Sequence, residues 1–184
     1  MLHKAPVIWD YVNLLPGCRI GDFTSIGAYT EVGQDVIIGE YCKIQHGVFI
    51  PRGVTIGDNV FIGPKVCFTN DKYPTSKDYG KFESTRVHDK VNIGANSTIL
   101  CGISLGTGCT VGAGSVVTKS VLPYSTVYGN PAKVVVRDKC KGCRSLDEYG
   151  VCLGCSRAMG VDDWNVDYYE KGEGNENIDT VFGS

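Results

Sequence analysis

From Ile8 onward an aliphatic or aromatic residue falls on every sixth position without a miss: Ile8, Leu14, Ile20, Ile26, Val32, Ile38, Ile44, Ile50, Ile56, Ile62 and Phe68. Two places before each of these markers the side chain is mostly small or apolar, as at Val12, Cys18, Thr24, Thr30, Cys42 and Val60. Gly follows the marker at Gly21, Gly27, Gly33, Gly39, Gly57 and Gly63. A helix repeats every 3.6 residues and a half-buried strand every two, so neither sustains a period of six. A short strand joined to a fixed turn does. Three such units close a triangular coil of about eighteen residues, and stacked coils bury the column of markers. The Gly slot suits a turn whose backbone is crowded or left-handed. Ordinary sandwich turns would not keep eleven consecutive markers in phase.

The rhythm stops after Phe68 and resumes as Ile93, Ile99, Leu105, Val111 and Val117. The interruption, residues 69–90, is polar and aromatic, and a loop of that length in a repeat fold is expected to carry function. Tyr73, Tyr79 and Phe82 offer stacking surfaces, and Lys72, Lys77, Lys81 and Arg86 offer phosphate partners. The same loop would serve equally as a clasp on a neighbouring subunit. Pro123 falls on the next marker slot and is expected to stop the stacking.

A net charge of −2 over 184 residues gives no electrostatic footprint for nucleic acid or an anionic membrane. No apolar run is long enough for a membrane span, and the N-terminus lacks the apolar core of a secretory signal. With no export signal, nine cysteines point to a cytoplasmic protein with free or metal-bound thiols.

Four of those cysteines form two C-x-x-C pairs, Cys140 with Cys143 and Cys152 with Cys155, each with Gly before its second Cys. Four thiolates around a tetrahedral ion make a closed structural Zn²⁺ site. So short a segment cannot build its own core and would need the metal to fold. Four unconnected surface thiols are the alternative. Cys18, Cys42 and Cys109 stand two before a marker and are expected to pack, whereas Cys67 and Cys101 could be exposed. The chain therefore divides into a repeat domain at 1–137, a zinc-binding module at 138–160 and an acidic tail at 161–184.

The run K-I-Q-H-G-V-F-I, then V-T-I-G-D-N-V-F-I-G-P-K-V-C-F-T-N-D-K-Y-P-T-S, resembles the hexapeptide-repeat acyltransferases, and within them the nucleotide-sugar N-acetyltransferases. V-N-I-G-A-N-S-T-I-L-C-G-I, G-A-G-S-V-V-T-K-S-V and V-Y-G-N-P-A-K fit the same group. The resemblance covers roughly residues 6–137 and implies a left-handed parallel β-helix of hexapeptide repeats, so the expected fold is all-β, such a helix with the inserted loop and the small C-terminal zinc module read above. It implies a homotrimer with its sites in the clefts between β-helices, acetyl-CoA as co-substrate, and a UDP- or dTDP-linked amino sugar as acceptor. Thr75 stands where many relatives carry Arg; if that Arg helps hold the diphosphate in relatives, another residue must do so here, or the sugar nucleotide binds differently.

For site residues the resemblance puts Asn70 of F-T-N first. Its amide can accept from an amine and donate to a substrate oxygen, or it can brace the loop's first turn. Asp71 pairs with a substrate ammonium or caps that turn. His46 is a general base or an exposed turn histidine. Stepping back by eighteen puts His46 and Asn70 at different corners of one subunit, so they could meet only across a cleft between subunits. For coenzyme A the resemblance points to backbone amides at Ala95 and Ala113, with Lys119 and Lys133 as phosphate partners. No Ser-His-Asp or Cys-His pair is visible, which favours direct transfer. Competing expectations are sugar or serine O-acetylation, a zinc hydratase (which lacks an H-x4-H among His3, His46 and His88), and a non-enzymatic trimeric scaffold.

Overall fold

The computed structural model describes residues 4–76 and 81–137. These form a parallel β-solenoid of short strands, most of them two residues long, on three faces. The first face carries Val7–Ile8, Ser25–Ile26, Lys43–Ile44, Phe61–Ile62, Asn92–Ile93, Thr110–Val111 and Ser125–Gly129. The second runs from Asn13–Leu14 to Val116–Val117, and the third from Arg19–Ile20 to Ser104–Leu105. Register advances by one coil of eighteen residues, as in Val7↔Ser25, Ser25↔Lys43 and Lys43↔Phe61.

Each marker points inward and its predecessor outward. Ile26, Ile44, Ile62, Ile93 and Val111 stack down the first face at 1% exposure or less, and Val32, Ile50, Phe68, Ile99 and Val117 do so down the second. Burying one such side chain contributes roughly 1.5–3 kcal/mol, so the column is the main source of stability. Thr24, Thr30, Ser97 and Ser115, two before their markers, are buried but satisfied; Thr24 Oγ1, for example, donates to the Gly39 carbonyl at 2.8 Å. In the first coil Ile8 and Leu14 remain 39% exposed because no coil among the described residues lies over them.

The two explanations offered for the Gly slot separate. The left-handed residue is the third after the marker, with φ between 56° and 93° from Tyr11 through Tyr124, and it is usually not Gly: Tyr29, Asp35, Asn59, Lys65 and Asn96 all hold it. The Gly slot itself is crowded. A Cβ on Gly94 would stand 2.4 Å from the Ala113 nitrogen in the next coil.

Two expectations about the interruption are corrected. Thr85–Val87 is a strand of the third face, paired with Val54–Ile56 on one side and Ser104–Leu105 on the other. The excursion from the coil therefore ends before Thr85 rather than at Lys90. Val87 is a marker in phase with Ile93, concealed because His88 occupies the Gly slot. Pro123 does not stop the stacking either. Val121 takes the inward position opposite Leu105, and Thr126 pairs with Thr110, so the last coil is two residues short. Ala132–Arg137 then folds back antiparallel on Ser125–Gly129 and covers that end.

Candidate active site

The turns between faces stack into three edges, and each edge has its own chemistry. The first edge, between faces one and two, carries Ala28, His46, Pro64, Ala95 and Ala113 in successive coils. Backbone bonds tie it together, Lys65 N–H to the His46 carbonyl at 2.9 Å, Asn96 N–H to Pro64 at 2.9 Å and Gly114 N–H to Ala95 at 2.8 Å. The amide in the middle of such a turn points out of the ladder and needs another acceptor. Ala28 N–H finds one in His46 Nδ1 at 3.1 Å. The amides of Ala95 and Ala113 donate to no described residue. Two outward N–H groups remain at positions whose own side chains are only methyl groups, which suits the carbonyls of a pantetheine arm.

The contact with Ala28 also fixes what His46 can do. A ring nitrogen that accepts from a backbone amide carries no proton, so the neutral imidazole holds its proton on Nε2. As oriented, His46 offers a donor to whatever approaches this edge, not a base. Trp9 packs edge-on against the ring, with centroids 5.8 Å apart. Lys133, opposite Tyr128 in the final hairpin, lies at the end of the same edge.

The second edge, between faces two and three, carries Arg52, Asn70, Cys101 and Lys119. Here the insertion leaves the coil, and its neck is well tied. Glu83 N–H donates to the Asn70 carbonyl at 2.9 Å, Asp71 pairs antiparallel with Phe82, and Lys72 meets Glu83 at 3.4 Å. Thr69 Oγ1 accepts from Cys101 N–H at 3.0 Å. With its backbone held, the half-buried Asn70 keeps a nearly free amide. Nδ2 reaches the Arg52 carbonyl only at 3.5 Å, and Oδ1 accepts from no described residue. Asp71 Oδ1 accepts from Tyr73 N–H at 3.0 Å, so one carboxylate oxygen caps the turn.

The candidates therefore fall into two groups within one chain. His46, Ala95, Ala113 and Lys133 share the first edge, while Asn70, Asp71 and Lys119 share the second. Two carboxylates on the third edge are engaged in structure: Asp58 accepts from Glu40 N–H at 2.8 Å and Asp89 from Asp58 N–H at 2.9 Å.

The thiols do not compete as nucleophiles. Burial pushes the Cys42 and Cys67 thiols up and carries Cys109 to about 12. Cys101, expected to have access to solvent, is buried at 4% exposure beneath the neck. Among the described residues no three His, Cys, Asp or Glu side chains converge to hold a metal. Cys140, Cys143, Cys152, Cys155 and the acidic tail lie outside the described residues, as do Lys77 and Tyr79 of the insertion. No helix among the described residues is long and apolar enough to cross a membrane.

A cavity of about 440 Å³ on the third face was not anticipated from the sequence. Its lining includes Thr55, Arg86, His88 and Ser104. Reading Val87 as a marker would have revealed it, since Arg86 then falls on the outward position. Burial, and then the neighbouring Arg86, hold the His88 imidazole below its ordinary range, with Asp89 opposing.

Family models describe the same repeats. The bacterial transferase hexapeptide (six repeats) matches residues 17–52 and 35–70, and the hexapeptide repeat of succinyl-transferase matches 85–119. A serine acetyltransferase from Buchnera aphidicola subsp. Schizaphis graminum is 42% identical over 65 residues, covering 35% of this chain and 25% of the relative. A dTDP-3-amino-3,6-dideoxy-alpha-D-galactopyranose 3-N-acetyltransferase from Aneurinibacillus thermoaerophilus is 47% identical over 53 residues, 29% of this chain and 28% of the relative. The chain thus spans roughly a quarter of the length of these curated relatives. The crystal structure of PerB from Caulobacter crescentus, in complex with CoA and GDP-perosamine, superposes with a TM-score of 0.64 at 20% identity. It covers 73% of this chain and 58% of that one, and the likeness is one of fold. Its six-residue rhythm and three parallel faces are thus those of the hexapeptide repeats that these transferase models describe, over residues 17–70 and 85–119.

Proposed function

We propose that the protein is an acetyl-CoA-dependent N-acetyltransferase acting on the amine of a nucleotide-linked aminodideoxy sugar, UDP or dTDP, by direct transfer. Its β-helix is left-handed, as the family resemblance implies, and it works as a cytoplasmic homotrimer. The observation that carries this is Asn70. Its side-chain oxygen is an unused acceptor at the root of a tied insertion, on the edge opposite two unused amides. An amine needs such an acceptor to orient its lone pair toward the thioester. The unused amides of Ala95 and Ala113 fit the coenzyme, with Lys133 and, from the second edge, Lys119 as candidates for its phosphates.

In the reaction the amine nitrogen bonds to the thioester carbon, the C–S bond breaks, and the proton lost by nitrogen ends on the thiol of coenzyme A. Asn70 positions the amine and takes no proton. Asp71, with one oxygen engaged in the turn, keeps the other to hold the substrate as it arrives in its ammonium form, which gives one proton up to solvent before the neutral amine attacks. His46 supplies its Nε2–H to the developing oxyanion across the cleft. Cys140, Cys143, Cys152 and Cys155 hold one Zn²⁺, and the donor set of four thiolates suits that ion.

The resemblance to a serine acetyltransferase favours a second reading, transfer to a hydroxyl. That chemistry needs a base at the acceptor oxygen, and His46 as oriented has its outward nitrogen protonated. Thiol release from acetyl-CoA, measured with a panel of UDP- and dTDP-linked 3-amino and 4-amino sugars and their hydroxyl counterparts, tests both. Release with an amine and not its hydroxyl counterpart supports N-acetylation. The reverse supports O-acetylation, and silence with no coenzyme binding leaves a scaffold.

A further inference from the structure

We infer that the cavity on the third face takes the diphosphate of the nucleotide-linked substrate, anchored by the Arg86 guanidinium; this rests on the acceptor class proposed above. The cavity's volume of about 440 Å³ lies within the range of roughly 300–1,000 Å³ typical of small-molecule sites. Arg86 projects outward from the strand Thr85–Val87, and its two neighbours in register are Thr55 and Ser104. One guanidinium thus stands between two hydroxyls on a flat sheet face, with Ser84 and His88 beside it. A planar fork flanked by hydroxyl donors matches the oxygens of a phosphoryl or carboxylate group, and of the two the acceptor proposed above carries phosphoryl.

Arg86 is exposed and makes no ion pair with any described residue. Nearby acids do not neutralise it. Glu83 is engaged by Lys72 at 3.4 Å, and Asp89 is bonded to Asp58 N–H at 2.9 Å. Asp35 also lines the cavity, where its carboxylate can accept from sugar hydroxyls. An arginine on an outward strand position is ordinarily just solvated. A hydroxyl-lined hollow around it is what an extended, solvated side chain does not need.

Position joins this cavity to the candidate active site. Gly53 and Gly102 line it, and they are the turn residues just after Arg52 and Cys101, the neighbours of Asn70 along the second edge. Ser84 follows Glu83, whose N–H is bonded to the Asn70 carbonyl. A diphosphate held at Arg86 therefore leaves its sugar at the root of the insertion, beside the free amide oxygen of Asn70. It also supplies the cation missing at Thr75.

Isothermal titration of the full chain with dTDP, UDP and inorganic pyrophosphate tests this, with coenzyme A titrated in parallel. The wild-type chain should bind at least one nucleoside diphosphate. Arg86→Ala should weaken that binding by about ten-fold or more, Arg86→Lys by less, and both should keep wild-type coenzyme affinity and melting temperature. Failure of the wild-type chain to bind any of the three probes would overturn the inference, and so would equal affinity in Arg86→Ala. Loss of diphosphate binding in Arg86→Ala, with no transfer to any amino sugar by the wild type, would uphold the cavity and sink the N-acetyltransferase. Transfer with an unchanged acceptor KM in Arg86→Ala would do the opposite.

Discussion

Gly94→Ala should damage both stability and coenzyme binding, and the size of the damage can be worked from the contacts. The added Cβ would meet the Ala113 nitrogen at 2.4 Å, the Ala113 Cα at 2.7 Å and the Gly112 carbonyl carbon at 2.9 Å. All three are backbone, so no side chain can swing away. Two coils must part locally by about 1 Å to restore ordinary contact. Overpacking of this kind costs about 1–3 kcal/mol. The same displacement stretches two rungs, Gly94 N–H to the Val111 carbonyl and Gly114 N–H to the Ala95 carbonyl, both 2.8 Å long. Each contributes about 1 kcal/mol. The stiffer unfolded chain of Ala returns about 0.4–1 kcal/mol. The net loss is about 2–5 kcal/mol.

Gly114→Ala is the internal control. Its Cβ would meet nothing within 4 Å, but φ is +70°. The cost there is the left-handed strain alone, about 1–2 kcal/mol before the same entropic return. Urea unfolding followed by circular dichroism gives both differences. Coenzyme titration should separate them further, since parting the coils at Gly94 also displaces the Ala95 and Ala113 amides. If Gly94→Ala costs no more than Gly114→Ala, the crowding explanation of the Gly slot is wrong.

Asn70→Ala should lower turnover by at least about ten-fold while coenzyme affinity stays within two-fold of wild type, by titration and steady-state kinetics; unchanged turnover would remove Asn70 from the site. Metal analysis of the full chain should find one zinc per chain, lost on replacing Cys140 and Cys143 together with Ser; full zinc in that double variant would refute the module. His88 adds a pH dependence. Its folded pKa lies below the unfolded value near 6.5, so its contribution is complete above that pH and is lost as pH falls through the folded pKa. Urea midpoints for wild type and His88→Gln should therefore converge or cross on acidification, and parallel curves would contradict the assignment.

Much of the fold could be read from the markers because a stacked column requires an apolar residue at every step, and Ile26, Ile44 and Ile62 state it plainly. What escaped were places where one slot of the six was filled unusually. His88 in a Gly slot hid Val87, and with it the strand that displays Arg86. Removal of two residues near Val121 moved the phase, so Pro123 was taken for the end. The left-handed position was hidden for a different reason: Tyr, Asp, Asn, Lys and Gly alternate there, and no single residue type marks it. Cys101 was misjudged because its burial depends on the Thr69 contact beneath the neck. Of the site, Asn70 stood out because it follows the last marker before the gap. The role of His46 depended on a hydrogen bond to Ala28 eighteen residues away, which no local pattern encodes.

The division of candidates between two edges constrains how the protein must assemble. In one chain a whole face separates His46 and Ala95 from Asn70, so if both groups serve the proposed reaction, one copy presents two half-sites. A two-fold dimer is isologous, and packed on the second face it would set the first edge of each copy against the second edge of the other, closing two sites. A three-fold ring is heterologous, and it can set the first edge of each copy against the second edge of the next, closing three identical sites. This yields a complementation test. His46→Ala and Asn70→Ala should each be nearly inactive alone. Unfolded together at equal amounts and reassembled, they should recover about one quarter of wild-type activity, because a random trimer pairs an intact first edge with an intact second edge at about one interface in four. If both residues served one site within a single chain, no mixture could restore it. A two-fold dimer would recover the same fraction, so sedimentation equilibrium on the same samples decides between them: recovery in a trimer supports the ring, and recovery in a dimeric species would refute it.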